Sequence, residues 1–192
     1  MSYELKSARW LAHDVLEQTI LHGDHVIDAT AGNGHDTLFL AQLVGETGHV
    51  TAFDIQADAI EGSRVLLRDN GVEERVTLVC DGHQHMDQYV KEPVKAVMFN
   101  LGWLPGGDKS VTTLWETTRE AIMKALALLE PMGVCTVCVY PGHAEGTREK
   151  NELVTMLSEI KPQEYNILRQ QFINAGEGAP ECFVIQKQYG AR

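Results

Sequence analysis

Apolar runs rich in β-branched residues alternate with amphipathic segments along the chain. The runs have the length of strands, and the segments between them carry apolar residues at helical spacing. The pattern predicts strands over residues 25–29, 48–54, 76–80, 94–100 and 133–140. It predicts helices over residues 3–21, 35–44, 57–70, 84–90, 111–129 and 146–160.

This alternation predicts an α/β fold of the Rossmann-like type. Strands that are apolar almost throughout are typical of a parallel sheet with helices on both faces. Near the end, residues 163–172 and 181–189 both read as strands with no helix between them, so we expect an antiparallel edge strand on a mostly parallel sheet. Ligands bind such sheets at the carboxyl ends of the strands, which directs attention to the loops after the first four strands.

Size and composition limit the possible classes of protein. The 192 residues suit a single domain over 1–192, with an N-terminal helix at about 3–21. No apolar run is long enough to span a bilayer, and residues 1–10 lack an apolar signal core, so we expect a cytoplasmic protein with no membrane partner. The net charge of −11 argues against non-specific binding of nucleic acid, although recognition of a few exposed nucleotides stays open.

Cys135 and Cys138 form a C-x-x-C pair, the spacing of many zinc and redox sites. They lie in a predicted strand, where residues three apart point to opposite faces, so we interpret them as buried apolar side chains. His83 and His85 lack a third ligand at a suitable spacing. We therefore predict no metal site.

The loop after the first strand contains two glycines next to an acid. Gly32 and Gly34 allow a tight turn and a close approach of the backbone to a ligand, and Asp28 stands at the strand end. A dinucleotide loop would carry a third glycine where Thr37 stands, and an acid would repel a diphosphate. A cationic ligand fits better, with Asp28 holding an ammonium group directly or through water. A plain turn with Asp28 as a local cap is the alternative.

The next two strands also end in acids. Asp54 can accept hydrogen bonds from two ribose hydroxyls, and Gln56 is close enough to contact the sugar or base. Asp81 can accept a hydrogen bond from the exocyclic amine of a purine. A helix cap for Asp54 and an ordinary Asp-Gly turn for Asp81 are the alternatives. Taken together, the three loops resemble the S-adenosylmethionine site of class I methyltransferases over about residues 24–140, and a nicotinamide-dependent reductase is disfavoured.

The fourth strand ends in Asn100-Leu101-Gly102-Trp103, which resembles the catalytic loop of methyltransferases that act on amino groups. The oxygen of the Asn100 side chain can accept a hydrogen bond from an amine, and Trp103 can stack on the ring that carries it. Both prolines of that motif are missing here. Asp108 or a nearby histidine is a candidate proton acceptor, with no basis for choosing between them. His143 either lines the substrate cleft or lies in a surface turn.

The motifs DATAGNGHDT, FDIQ, DGHQ, NLGWLPGGD and YPGH resemble those of the YtqB-like group, long described as rRNA methylases and now as MnmM-type tRNA methyltransferases. The resemblance covers about residues 5–188. It implies methylation of the primary amine of 5-aminomethyl-2-thiouridine at the tRNA wobble position, with the anticodon region as partner. It also implies that the cofactor contacts Asn33, His35, Asp54, Gln56, Asp81 and His83.

Alternatives to this substrate are rRNA and a small-molecule amine, and a module that binds the cofactor without catalysis also stays open. Candidate phosphate contacts are scattered cations at Lys6, Arg9, Lys109, Arg119, Arg148 and Lys150. A homodimer is compatible with the small size of the domain.

Overall fold

The computed structural model describes residues 7–103, 106 and 112–190. A seven-stranded sheet takes the order β3-β2-β1-β4-β5-β7-β6. Its strands are β1 (His25–Asp28), β2 (His49–Asp54), β3 (Val76–Cys80), β4 (Val94–Asn100), β5 (Leu129–Val139), β6 (Tyr165–Gln170) and β7 (Glu181–Lys187). The first five strands are parallel, and β7 runs antiparallel to both β5 and β6. The predicted class is therefore confirmed, and the reversed strand lies one position in from the edge.

Helices cover both faces of the sheet. They are α1 (Ala8–Thr19), α2 (His35–Val44), α3 (Ala57–Asp69), α4 (Met86–Tyr89), α5 (Trp115–Leu128) and α6 (Ala144–Ser158). Buried side chains of α1, α2 and α3 form one core with Val26, Val50 and Met98. Those of α4, α5 and α6 form the other with Ile27, Phe53 and Phe99. Because neighbouring residues of a strand supply opposite cores, the strands are apolar on both sides.

The same alternation separates the two cysteines of the C-x-x-C pair. Cys135 is buried in the core under α5 and α6, whereas Cys138 is buried in the core under α1. The prediction that they point to opposite faces is confirmed. No three His, Cys, Asp or Glu side chains of the described residues group together as metal ligands would. Nor is any helix in that part of the chain long and apolar enough to cross a membrane.

Three predicted boundaries were wrong by four residues or more. The first helix begins at Ala8, after Ser7 as its N-cap, rather than at residue 3. The fifth helix begins at Trp115 rather than at residue 111, because Thr112 and Thr113 are bound by the loop after β4. Strand β5 begins at Leu129 rather than at residue 133. The chain passes Pro131 through a register shift, with Met132 at a φ of 66°. This irregularity lets the strand continue past a residue that has no N–H to donate.

Strand β1 lies between β2 and β4, so the connections that leave β1 and β4 diverge to opposite faces of the sheet. A crevice forms outside the carboxyl ends of strands where such a change of direction occurs. The topology therefore brings the loops after β1, β2, β3 and β4 to one edge. The single domain over residues 1–192 stays a prediction, because both ends lie outside the described residues.

Candidate functional site

A cavity of about 620 Å³ opens at this edge, a size typical of small-molecule sites. Its walls come from the loops after the first five strands and from α1. Nine of the side chains and glycines predicted from the sequence line it, namely Gly32, Asn33, His35, Asp54, Gln56, Asp81, His83, Asn100 and Trp103. Asp28 and Gly34 lie beneath the lining rather than in it. Asp108 lies outside the described residues.

The turn after β1 depends on two glycines in the left-handed region. Gly32 has a φ of 52° and Gly34 a φ of 80°, and the N–H of Gly34 donates to the carbonyl of Ala31 at 2.8 Å. A Cβ on Gly34 would lie 2.9 Å from the Cα of Ser63 on α3. The Ser63 hydroxyl in turn donates to the Gly32 carbonyl. Gly34 therefore acts through packing of the turn against α3, and Gly32 provides the ligand-facing backbone.

Asp28 is fully buried beneath this turn. Its oxygens accept hydrogen bonds from the Thr30 N–H at 3.0 Å and the Thr37 hydroxyl at 2.6 Å. Burial and the nearby charge of Asp36 raise the pKa of Asp28 to about 7. Since the carboxyl does not line the cavity, the geometry assigns it to holding the turn and does not favour the direct contact with an ammonium group that the sequence suggested.

The raised pKa of Asp28 makes a testable prediction about stability. The carboxyl has a pKa of about 7 in the folded protein and 3.8 in the unfolded chain. Its contribution to the free energy of unfolding is therefore fully present below pH 3.8 and is lost as the pH rises through 7. Asp28→Asn should therefore gain stability relative to the unmodified chain between pH 5 and pH 8, by about 1 kcal/mol or more. Urea unfolding of both proteins at several pH values measures this difference, and parallel pH profiles would contradict it.

Asp54 joins the loops after β1 and β2. One carboxylate oxygen accepts the N–H of Gly32 at 2.9 Å, and the other accepts the N–H of Gln56 at 2.9 Å. The residue is half-buried and lines the cavity. Each oxygen has a further lone pair, so the carboxylate can hold the glycine turn and still accept a hydrogen bond from a ligand hydroxyl.

Asp81 and His83 lie at the end of β3. Asp81 accepts hydrogen bonds from His85 at 2.9 Å, from the N–H of Gly82 at 2.7 Å and from the Tyr89 hydroxyl at 2.9 Å, and these bonds lower its pKa. Burial lowers the pKa of His83, so its ring is neutral at pH 7. Its Nδ1 lies 3.1 Å from the carbonyl of Ala29 and must donate to it, which leaves Nε2 as an acceptor.

Asn100 is held at two points. Its N–H donates to the Thr30 hydroxyl at 2.8 Å, and its side-chain Nδ2 donates to Asp36 at 3.1 Å. Its Oδ1 is buried and accepts no hydrogen bond within the described residues. A buried oxygen without a donor is costly in a folded protein unless a ligand supplies one. Asn100 therefore presents a hydrogen-bond acceptor at the cavity.

Trp103 lines the cavity beside His143, with ring centroids 4.5 Å apart. The backbone before it is anchored, since Gly102 exchanges hydrogen bonds with the N–H and hydroxyl of Thr113. The Thr113 hydroxyl donates to Glu149, a carboxylate that is 1% exposed and whose pKa is raised by burial. These hydrogen bonds connect the backbone next to Trp103 with Glu149 on α6 and so hold Trp103 in place.

The sequence left open whether His143 lines the cleft or lies in a surface turn, and the structure places it in the lining of the cavity. Its Nδ1 accepts the N–H of Gly146 and caps α6. A neutral ring with that lone pair occupied carries its proton on Nε2, which is buried and finds no acceptor in the described segments. His143 therefore lines the cavity while its Nδ1 caps the helix.

Sequence reasoning gave no role at this site to Asp36 and His13, and it named Arg9 only as a candidate phosphate contact. Asp36 and Arg9 line the cavity, and His13 lies behind them on α1. Asp36 comes two residues after Gly34, so its place beside the glycine turn could have indicated a role at the site. Arg9 and His13 are four residues apart on one helix face, but nothing in the sequence indicated that the first turn of α1 reaches the cavity.

Among the candidate phosphate contacts, three cations are paired with acids. Arg9 binds Asp36, Arg148 binds Glu116, and Lys150 lies 3.8 Å from Glu181. Lys6 and Lys109 lie outside the described residues. Of these pairs only Arg148 and Glu116 are both exposed, and an exposed ion pair can exchange its carboxylate for a phosphate, so Arg148 stays the best candidate of the three.

Comparisons with known proteins find a matching family model and similar sequences. The family model described as “Putative rRNA methylase” matches residues 50–186. The “tRNA (mnm(5)s(2)U34)-methyltransferase, chloroplastic” of Arabidopsis thaliana is 41% identical over 194 residues, covering 95% of this chain and 70% of the relative.

Two solved structures share the fold along almost their whole length. One, described as a “putative rRNA-methylase” from Clostridium thermocellum, is 44% identical with a TM-score of 0.95, covering 96% of this chain and 100% of that one. The other, a methyltransferase from Streptococcus mutans in complex with SAH, is 36% identical with a TM-score of 0.87, covering 96% and 99%.

Proposed function

Because this chain belongs to the rRNA methylase family and is an S-adenosylmethionine-dependent methyltransferase, we propose that it methylates the primary amine of 5-aminomethyl-2-thiouridine at the tRNA wobble position. The observation that carries the proposal is the buried Oδ1 of Asn100, which finds no hydrogen-bond donor among the described residues, together with the aromatic side chain of Trp103 at the same cavity. Asn100 would accept a hydrogen bond from the substrate amine, and Trp103 would stack on the ring that carries this amine.

The residues of the cavity fit the cofactor. Asp54 and Asp81 would receive the ribose hydroxyls and the adenine amine, and the Gly32 turn would lie against the methionine part. Gln56, Asn33, His35 and His83 complete this side. Acids suit a ligand that carries a sulfonium and an ammonium group, whereas they would repel a diphosphate. When bound, the cofactor supplies an activated methyl group.

Asp54→Asn should weaken S-adenosylmethionine binding by about 1–3 kcal/mol, because one acceptor for the ribose becomes a donor. Isothermal titration calorimetry measures the change. Asp58→Asn provides a matched control, since Asp58 is an exposed acid four residues further on, in the first turn of α3. Equal affinities for the two variants would show that the ribose binds elsewhere.

On the substrate side, the chain has to align an amine with the methyl group and leave its lone pair free. Asn100 Oδ1 accepts one N–H of the amine, which directs the lone pair. Trp103, whose ring lies beside that of His143, stacks on the pyrimidine. Nitrogen forms a bond to the methyl carbon, the carbon–sulfur bond breaks, and the nitrogen releases one proton. His143 does not accept it while it caps α6, and Asp108 stays a candidate.

Labelled methyl transfer tests the substrate. Purified protein with labelled cofactor should label tRNA that carries 5-aminomethyl-2-thiouridine and should leave tRNA without that base unlabelled. Ribosomal RNA and a metabolite extract, incubated in parallel, test the alternative substrates. Labelling of either in place of the modified tRNA would overturn the proposal. The anticodon region as the bound part of the tRNA, a homodimer and a cytoplasmic location stay predictions.

A further inference from the structure

The carboxylate of Asp36 binds donors from two separate elements beside the cavity. Its Oδ1 accepts Arg9 Nε at 2.7 Å and His13 Nε2 at 2.8 Å, both from α1. Its Oδ2 accepts Nδ2 of Asn100, at the end of β4. Asp36 is 6% exposed and lies in the first turn of α2, where the helix dipole favours a negative charge. Although burial opposes ionisation, the bonds from His13 and Arg9 lower its pKa overall.

This arrangement fixes which way the Asn100 amide faces. An ionised carboxylate only accepts hydrogen bonds, so the amide must turn its NH₂ toward Asp36 and its oxygen away from it. The backbone N–H of Asn100 donates to the Thr30 hydroxyl, and this bond fixes the position of the residue relative to Asp36. His13 is itself fixed by stacking on Phe39, with ring centroids 3.8 Å apart.

We propose that Asp36 is a positioning residue that sets the orientation of the Asn100 amide and thereby presents Oδ1 to the substrate amine. The inference rests on the proposed function for the role of Oδ1, but not for the orientation itself. It also assigns a role to α1, since Arg9 and His13 saturate one oxygen of Asp36 and leave the other for Asn100.

The substitution Asp36→Asn should reverse the amide. Arg9 and His13 would keep the new carboxamide oxygen on their side, so its NH₂ would face residue 100. Asn100 would then turn its oxygen toward position 36 and its NH₂ toward the substrate. We expect kcat to fall about 100-fold, as when an oriented hydrogen bond at a reacting group is lost, with little change in KM for tRNA.

The exchange variant D36N/N100D provides the decisive kinetic comparison. A carboxylate at position 100 accepts from the amide at position 36 with one oxygen and offers the other to the substrate. The double variant should therefore recover most of the kcat that Asp36→Asn loses, whereas Asn100→Asp alone places two carboxylates together and should be impaired. Asp69→Asn, the same substitution at an exposed position, is the matched control. A folded, SAH-binding double variant that is no faster than Asp36→Asn would overturn the inference.

A spectroscopic test needs no substrate and so separates this inference from the proposed function. The side-chain NH₂ signal that is missing from the ¹H–¹⁵N spectrum of Asn100→Ala identifies Asn100. In the unmodified protein its proton facing Asp36 should be shifted downfield and exchange slowly, and Asp36→Asn should shift it upfield. An unchanged signal in Asp36→Asn would contradict the orientation, whatever the substrate of the enzyme proves to be.

Discussion

Asn100→Ala should lower kcat for the modified tRNA by about 10²–10³-fold, equivalent to about 2.7–4 kcal/mol of transition-state stabilisation. The side chain supplies the acceptor that orients the amine, and its Oδ1 accepts no hydrogen bond within the described residues. Alanine removes that acceptor and leaves Asp54, Asp81 and the glycine turn unchanged. Affinity for S-adenosylmethionine should therefore change little, and single-turnover kinetics with calorimetry measure both quantities.

Asn151→Ala is the matched control for Asn100→Ala, because Asn151 is an exposed asparagine on α6. It should retain full activity. If Asn100→Ala turns over at the rate of this control, the amine is oriented by another group. If it loses cofactor affinity as strongly as kcat, Asn100 holds the cofactor rather than the substrate.

Gly34→Ala should destabilise the fold by about 2–5 kcal/mol, because two costs add. A side chain at a φ of 80° is strained by about 1–2 kcal/mol. Its Cβ would also lie 2.9 Å from the backbone of Ser63, and such overpacking costs about 1–3 kcal/mol. The displaced turn should also weaken cofactor binding, since Gly32 and Asn33 move with it. Thermal unfolding with and without SAH measures both effects.

Gly62→Ala on α3 is the control for this substitution. No atom of the described residues lies within 4 Å of a Cβ at Gly62, and alanine inside a helix gains about 0.5–1 kcal/mol over glycine. The two variants should therefore move the unfolding temperature in opposite directions. A Gly34→Ala protein that is as stable as Gly62→Ala would show that the turn relaxes away from α3.

The sequence predicted most of the fold because local pattern and tertiary environment agree here. Strands β1 to β4 are apolar on both sides, and each ends where its polar loop begins. The errors arose where the environment overrides local preference. Pro131 lies inside β5 because the chain shifts register around it. Thr112 and Thr113 leave the predicted helix because they bind the loop of Trp103.

For the site, the rule that ligands bind at strand ends located Asp54, Asp81 and Asn100 correctly at one cavity. The rule does not say whether an acid faces the cavity or lies below it, which depends on side-chain rotamers and on neighbours distant in sequence. Asp28 is buried because Thr30 and Thr37 bind both of its oxygens. Asp36, in contrast, lines the cavity. Its partners Arg9 and His13 lie on α1, far away in sequence, so they can be recognised only once the position of that helix is known.

The central claim, that the cavity aligns an amine on a modified uridine with the methyl donor, is tested most directly by the position of the transferred methyl group. After reaction with tRNA that carries 5-aminomethyl-2-thiouridine, nuclease digestion and tandem mass spectrometry of the nucleosides locate it. The account predicts a methylaminomethyl base, with a fragment that retains the methyl on the side-chain nitrogen. A methyl group on ribose, on sulfur or on a different nucleotide would contradict it.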